Sequence, residues 1–254
     1  MATECASGLK LNGMFDLSDK VAIVTGGNGG IGLGIALGLA KAGAAIVVAA
    51  RNADKTAGAV NELKDSGASV LGVTTDVNDE MSVEDMVSRT IDHFGGVDIL
   101  VNNAGIGLRK LPQDYTVDEW DEVVDINLKG TFLCSREVHQ YMEEAGAGKI
   151  IYIGSMTSIF GLPWAAPYGA SKGGVVQLTK ALAVAWAKTD LGAGVADETS
   201  TATSMARVSF EAKRGGGWHM NGRFDGAEAR TQLRFSGSAH CHPVLPRNRS
   251  PPIW

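Results

Sequence analysis

The chain has 254 residues and a formal net charge of −5, enough length to bury the core of one large α/β domain. Acids and bases are interspersed through its first three quarters, which argues against a nucleic-acid face or an anionic-membrane patch. Cys5, Cys134 and Cys241 are odd in number and far apart, so they read as reduced thiols of a cytoplasmic protein and not as a disulfide framework.

Met1 to Lys20 carries Glu4, Asp16 and Asp19 and no long apolar core, so it is not read as a signal peptide. Val21–Thr25, Ala45–Ala49, Ser69–Thr74, Val97–Asn102 and Lys149–Ile153 are predicted strands, short runs rich in Val and Ile. Gly29 to Ala50 is broken only by Lys41 and could pass for a membrane span. Its glycines and the break at Lys41-Ala42-Gly43 predict instead a buried helix with a glycine end and then a buried strand. Glu80–Phe94 sets Met81, Val83, Met86, Val87 and Ile91 on one helical stripe. Val117–Glu144 is predicted as one long helix and Ala166–Lys188 as another, and no solenoid repeat is present. Strand, helix and strand in alternation require right-handed crossovers and a parallel sheet covered on both faces.

After Lys188 the composition changes. Up to that point there are 4 Arg and 11 Lys; from Thr189 onward there are 7 Arg and 1 Lys. Net charge moves from −7 to +2, and Leu, Ile and Val number only 7 among the last 66 residues. That is little material for buried strands. Residues 1–16 are therefore read as an N-terminal extension, 17–188 as a dinucleotide-binding and catalytic domain, and 189–254 as an atypical, poorly ordered tail.

The run Thr25-Gly26-Gly27-Asn28-Gly29-Gly30-Ile31-Gly32 leaves a predicted strand and opens a predicted helix. Glycines let backbone approach a pyrophosphate, and the helix start offers unpaired N–H groups. Alone such a loop is weak, since glycines also serve turns; its context between strand and helix makes it a dinucleotide site. At the end of the second strand an acid would hold the ribose 2′-hydroxyl. Ala50 cannot, whereas Arg51 can meet a 2′-phosphate, which favours NADP(H) and leaves NAD(H) open. Asn102-Asn103-Ala104-Gly105 and Gly154-Ser155 end the fourth and fifth strands, at the carboxyl edge where ligands bind. Asp76-Val77, after the third strand, is a candidate adenine contact, with a plain loop aspartate as the alternative.

Tyr168 and Lys172 lie four residues apart, on one face of a helix. A lysine's field favours the phenolate and moves a tyrosine below its ordinary pKa of about 10. A tuned proton donor joined to a dinucleotide implies hydride transfer to or from a carbonyl, with the hydroxyls of Ser155 and Tyr168 placed to stabilise and protonate the oxygen. Ser171 is read as a small packing residue, and His93 and His139 as packing or dipole residues. His219, His240, Cys241 and His242 lack structural-zinc spacing, so no metal is expected.

Through Thr25–Gly32, Asn102–Gly105, Asn127, Ser155 and the Tyr168/Lys172 pair, residues 17–188 resemble the short-chain dehydrogenase/reductase family. The resemblance implies a Rossmann-type doubly wound parallel sheet and an NAD(P)-dependent enzyme interconverting a secondary alcohol and a ketone. It implies Tyr168 as general acid/base, Ser155 as the residue positioning the substrate oxygen, and Lys172 as both tuner of the tyrosine and binder of the nicotinamide ribose. Asn127 would hold a water linking Lys172 to solvent. Thr25, Gly26, Asn28, Gly30, Ile31, Gly32, Arg51, Asp76, Val77, Asn103, Ala104 and Gly105 would contact the cofactor, and a homo-oligomer is expected. Within the family the chain resembles sugar dehydrogenases and 3-oxoacyl reductases equally. Met156 to Trp164 should wall the substrate pocket, partly with the apolar Ile159, Phe160, Leu162 and Trp164.

After Lys188 the family's sixth strand, Pro-Gly turn, substrate lid and seventh strand have no counterpart in this sequence. Arg207–Ala212 and Gln232–Phe235 alternate enough for short strands outside that pattern. Without the last two strands, Lys149–Ile153 is expected to be an exposed edge that invites aggregation. The alternative function is a catalytically impaired dinucleotide-binding protein with a frameshifted or mis-spliced C-terminus.

Overall fold

A computed structural model describes residues 16–186, 190–197, 207–213 and 217–223. Strands β1 (Val21–Thr25), β2 (Ala45–Ala50), β3 (Val70–Thr74), β4 (Ile99–Asn102) and β5 (Ala147–Gly154) are all parallel, in the order β3-β2-β1-β4-β5. Helices α1 (Gly30–Lys41), α2 (Ala53–Asp65), α3 (Glu80–Phe94), α4 (Val117–Val124), α5 (Gly130–Glu144) and α6 (Ala166–Ala185) connect or cover them. This is the Rossmann-type sheet the sequence predicts. Chain direction across the sheet reverses between β1 and β4, which opens a crevice at their carboxyl ends.

Alternation along the strands divides the core. Ala22, Val24, Ile46, Val48 and Val101 face Ala36 of α1 and Ala59 and Leu63 of α2. Ile23, Val47, Val73, Leu100, Ile150 and Tyr152 face Val83, Met86 and Val87 of α3, Leu133 and Val138 of α5, and Val175 and Leu182 of α6. Both faces are buried, so the strands carry continuous apolar runs. Helix α1 ends at Ala42, and Gly43 follows with φ +103°, a left-handed turn into β2. No helix among the described residues is long and apolar enough to cross a membrane.

Three features depart from the sequence reading. The stretch Val117–Glu144 is not one regular helix. A π-helical turn, Asp125–Lys129, separates α4 from α5. One extra residue in a turn leaves the apolar spacing almost untouched, so periodicity does not show it.

Secondly, β5 is not an edge. A further strand, β6 (Asp190–Asp197), pairs with it in parallel from Ala147↔Asp190 to Gly154↔Asp197. Backbone pairing beside an open strand asks little of side chains, and a Cβ at Gly192 would lie 2.8 Å from the Cδ and Nζ of Lys149. Thirdly, β7 (Arg207–Lys213), close to the expected Arg207–Ala212 strand, runs antiparallel to β6, and β8 (Gly217–Arg223) antiparallel to β7. The parallel order thus stops at β6. Gln232–Phe235, His240, Cys241 and His242 lie outside the described residues.

Cys134 is fully buried on α5, and burial pushes its thiol up to about 12. At pH 8 it stays protonated. Iodoacetamide should leave the Cys134 peptide unmodified in the native protein and label it after unfolding in denaturant; native labelling would contradict the packing of α5.

Candidate active site

The first βα turn follows Thr25 at the end of β1. Gly26 and Gly30 take φ +64° and +54°, angles that favour glycine. A Cβ at Gly32 would fall 2.3 Å from Gly26 O and 2.5 Å from Asn103 Nδ2, so the first turn of α1 closes down on the loop as only glycine allows. A Cβ at Gly30 would meet nothing within 4 Å. The loop is therefore tight behind and open in front of the α1 N-terminus, the shape needed for an anionic group to approach its N–H groups. A dinucleotide pyrophosphate fits these residues.

Thr25 holds this turn to the end of β4. Its hydroxyl donates to Val101 O at 3.2 Å and accepts from the amides of Asn103 (3.0 Å) and Ala104 (3.1 Å). Asn103 Nδ2 returns two bonds, to Thr25 O at 2.9 Å and Gly26 O at 3.2 Å. Asn103, Ala104 and the glycine loop thus form one structure across the crevice. Asn28 Nδ2 donates to Thr56 Oγ1 at 3.2 Å, tying the loop to α2. Arg51 is exposed just beyond β2. Asp76 follows β3, and its carboxylate accepts from the Asn78 amide at 3.0 Å. Val77 is buried; a Cβ on Gly130 would touch its Cγ2 at 2.7 Å, so Val77 packs against the start of α5.

Tyr168, Lys172 and Ser155 gather near the ends of β4 and β5. Lys172 is 4% exposed on α6, and its Nζ donates to Ile153 O at 2.7 Å. The same Nζ lies 5.7 Å from the centre of the Tyr168 ring. Ser155, buried at the end of β5, accepts from the Thr157 amide at 3.2 Å. Its own amide donates to Ser158 Oγ, which in turn donates to Lys172 O. Ser158 therefore links Ser155 to the helix carrying Tyr168 and Lys172.

Asn127 lies in the π-helical turn and is 1% exposed. Its Nδ2 donates to Ile106 O at 2.9 Å and to Ser171 Oγ at 3.0 Å, and its Oδ1 accepts from the Ile106 amide at 2.8 Å. Both amide hydrogens are thus used in anchoring, and Ser171 passes the contact on by donating to Tyr168 O at 2.8 Å. Ser171 is more than a packing residue, since it couples Asn127 to the tyrosine's backbone. Gly105 and Gly107 lie on the same loop, where Cβ atoms would come 3.1 Å from Asn127 Oδ1 and 3.4 Å from the Tyr168 ring.

Tyr115, which the sequence reading misses, ties the loop after β4 to the segment after β5. Its hydroxyl donates to Leu108 O at 2.6 Å, with Trp164 O next at 3.2 Å, and the Lys110 amide also reaches Trp164 O at 3.2 Å. An ion pair between Lys110 and Glu119 holds the glutamate's pKa low and anchors this loop to α4. On the segment after β5, Met156, Ile159, Phe160 and Trp164 are exposed and Leu162 is half-buried. His139 packs on Trp186 with ring centres 4.3 Å apart, and His93 packs edge-on to Phe94. No group of three or more potential metal ligands occurs among the described residues.

A sequence profile described as short chain dehydrogenase matches residues 20–214. The chain belongs to the short-chain dehydrogenase family. Its described body is that of an enzyme of this family, whose members bind NAD(P). It is 41% identical over 172 residues to the (2S)-[(R)-hydroxy(phenyl)methyl]succinyl-CoA dehydrogenase subunit BbsD of Thauera aromatica, a match covering 66% of this chain and 67% of that one. It is 37% identical over 175 residues to gluconate 5-dehydrogenase of Gluconobacter oxydans, covering 69% of this chain and 68% of that one. Among solved structures, an NAD+-bound xylitol dehydrogenase superposes with a TM-score of 0.69 at 33% identity, over 70% of this chain and 69% of that one. The chain thus spans about two thirds of the length of the curated relatives it matches.

Proposed function

We propose that this short-chain dehydrogenase interconverts a secondary alcohol and a ketone, with Tyr168 as the general acid/base. The observation that carries the reading is the meeting of Tyr168, Lys172 and Ser155 at the carboxyl edge of the sheet, across one crevice from a glycine turn open toward the α1 N-terminus. When bound, a nicotinamide cofactor would supply or accept the hydride at the carbon. In the reducing direction Tyr168 gives its hydroxyl proton to the carbonyl oxygen as negative charge develops there. Ser155 donates a hydrogen bond to the same oxygen. Lys172 stabilises the phenolate left behind, and solvent returns the proton. Oxidation is the reverse, with the phenolate taking the alcohol proton. Asn127 acts by holding the loop before the tyrosine and, through Ser171, the helix that carries it.

Thr25, Gly26, Asn28, Gly30, Ile31, Gly32, Asn103, Ala104 and Gly105 are assigned to the cofactor, with Asp76 and Val77 beside its adenine. All these residues fall within 17–188, which we take as the functional domain, in a cytoplasmic homo-oligomer. Arg51 favours NADP(H). Arg51→Asp should shift the ratio of NADPH to NADH affinity toward NADH by about tenfold or more, because a favourable charge contact becomes a repulsive one. Titration of both cofactors by nicotinamide fluorescence checks this, and an unchanged ratio would remove Arg51 from 2′-phosphate recognition.

A second reading, a dinucleotide-binding protein of impaired activity, is favoured by the antiparallel β7–β8 pair, where the parallel order of the sheet ends. NADPH binding together with turnover of secondary alcohols, sugar acids and ketones supports the enzyme. Binding with no turnover across that panel supports the second reading.

A further inference from the structure

Helix α2 starts behind Asn52, whose side chain accepts from the Lys55 amide at 2.8 Å. Lys55 therefore stands in the first turn, the end of a helix where the dipole disfavours a cation. Its side chain does not simply extend into solvent from α2. A Cβ built on Gly29 would lie 2.7 Å from Lys55 Nζ and 2.8 Å from its Cε, so the lysine occupies the room a side chain at position 29 would need. Gly29 has φ 170°, an angle open to any residue. The contact does not require glycine, since the end of a lysine can move aside; it places the Lys55 ammonium directly over the glycine loop. Asn28, donating to Thr56 Oγ1 and reaching Asn52 O at 3.5 Å, fixes the loop and the α2 turn in this relation.

Arg51 and Lys55 flank Asn52, both exposed, and neither forms an ion pair among the described residues; Asp54, the one carboxylate of the turn, pairs with neither. Two uncompensated cations beside a dinucleotide loop are suited to an anion. The turn opening α1 already offers backbone N–H groups to the pyrophosphate. Lys55 is rooted instead after β2, the strand whose end faces the adenosine ribose in this fold. We propose that Lys55 is a second specificity-determining residue, reading the ribose 2′-phosphate of NADP(H) together with Arg51. The inference rests on the glycine loop holding a dinucleotide, as proposed above.

The test is calorimetric titration of the full chain with adenosine 2′,5′-bisphosphate and with adenosine 5′-monophosphate, neither of which needs turnover or the nicotinamide pocket. Lys55→Gln should weaken bisphosphate binding by about fivefold to tenfold while changing monophosphate binding by less than about twofold. Lys55→Arg should keep most of the selectivity, because it retains the charge. Equal weakening of both ligands would assign Lys55 to the 5′-phosphate and overturn the inference while leaving the dinucleotide reading intact. An unchanged bisphosphate affinity would overturn it in the same way. If the wild-type chain binds neither nucleotide, the dinucleotide reading fails first and the role of Lys55 falls with it.

Discussion

Tyr168→Phe should cost about 10²–10⁴-fold in turnover, the range expected for removing a general acid/base, while NADPH affinity changes little. The substitution removes one oxygen and leaves the ring, which lies against Gly107 and beside the Lys172 ammonium. Those apolar and electrostatic contacts keep α6 in place, so the crevice persists. Initial-rate assays on a substrate found for the wild type, paired with NADPH fluorescence titration, separate chemistry from binding. Undiminished turnover would reject Tyr168 as the proton donor. Loss of both turnover and cofactor binding would show that the residue shapes the site instead.

Gly32→Ala should reduce cofactor binding by roughly tenfold to more than a hundredfold, from an overpacking cost of about 1–3 kcal/mol. The new methyl would sit 2.3 Å from Gly26 O and 2.5 Å from Asn103 Nδ2. Gly26 O belongs to the backbone, and Asn103 is held by two hydrogen bonds, so neither can yield cheaply. Relief requires α1 to lift from the turn, which also moves the N–H groups proposed to face the pyrophosphate. Thermal denaturation should show a lower midpoint alongside the weakened binding. Wild-type values in both measurements would mean that the loop is far softer than its contacts imply.

The parts legible in the sequence are those where side-chain pattern determines structure. Helix α3 spans Glu80–Phe94 as predicted, with Asp79 accepting from Met81 N at its start and Gly95 at φ +82° at its end. Caps and apolar stripe all point to the same boundaries. Tyr168 and Lys172 were recognisable because four-residue spacing on a helix fixes proximity. Strand β6 was not, because a Gly/Ala-rich segment carries almost no strand signal, and its pairing partner, β5, is more than forty residues earlier in the chain. The π-helical turn was hidden for the reason already given, yet it is where Asn127 sits. Ser158, Tyr115 and Lys55 carry no such signal, and Ser171 reads only as packing, because single hydroxyls and exposed lysines acquire meaning only from what they touch. The contacts of Thr25 were equally invisible, although its place at the head of the glycine turn was not.

That threonine also bears on the order of events during synthesis. Its hydroxyl bonds to Val101, Asn103 and Ala104, partners 76 to 79 residues further along. When the glycine turn leaves the ribosome, none of these partners has yet been made. Two strands and three helices must follow before β4 can dock beside β1 and close the latch. Contacts of such long sequence separation form late and slowly. A nascent chain ending before β4 would hold the whole glycine motif with its clasp undone. Nucleotide capture is therefore expected to appear in one step, as translation passes Ala104 and that residue clears the exit tunnel, and not to grow gradually from the first turn onward.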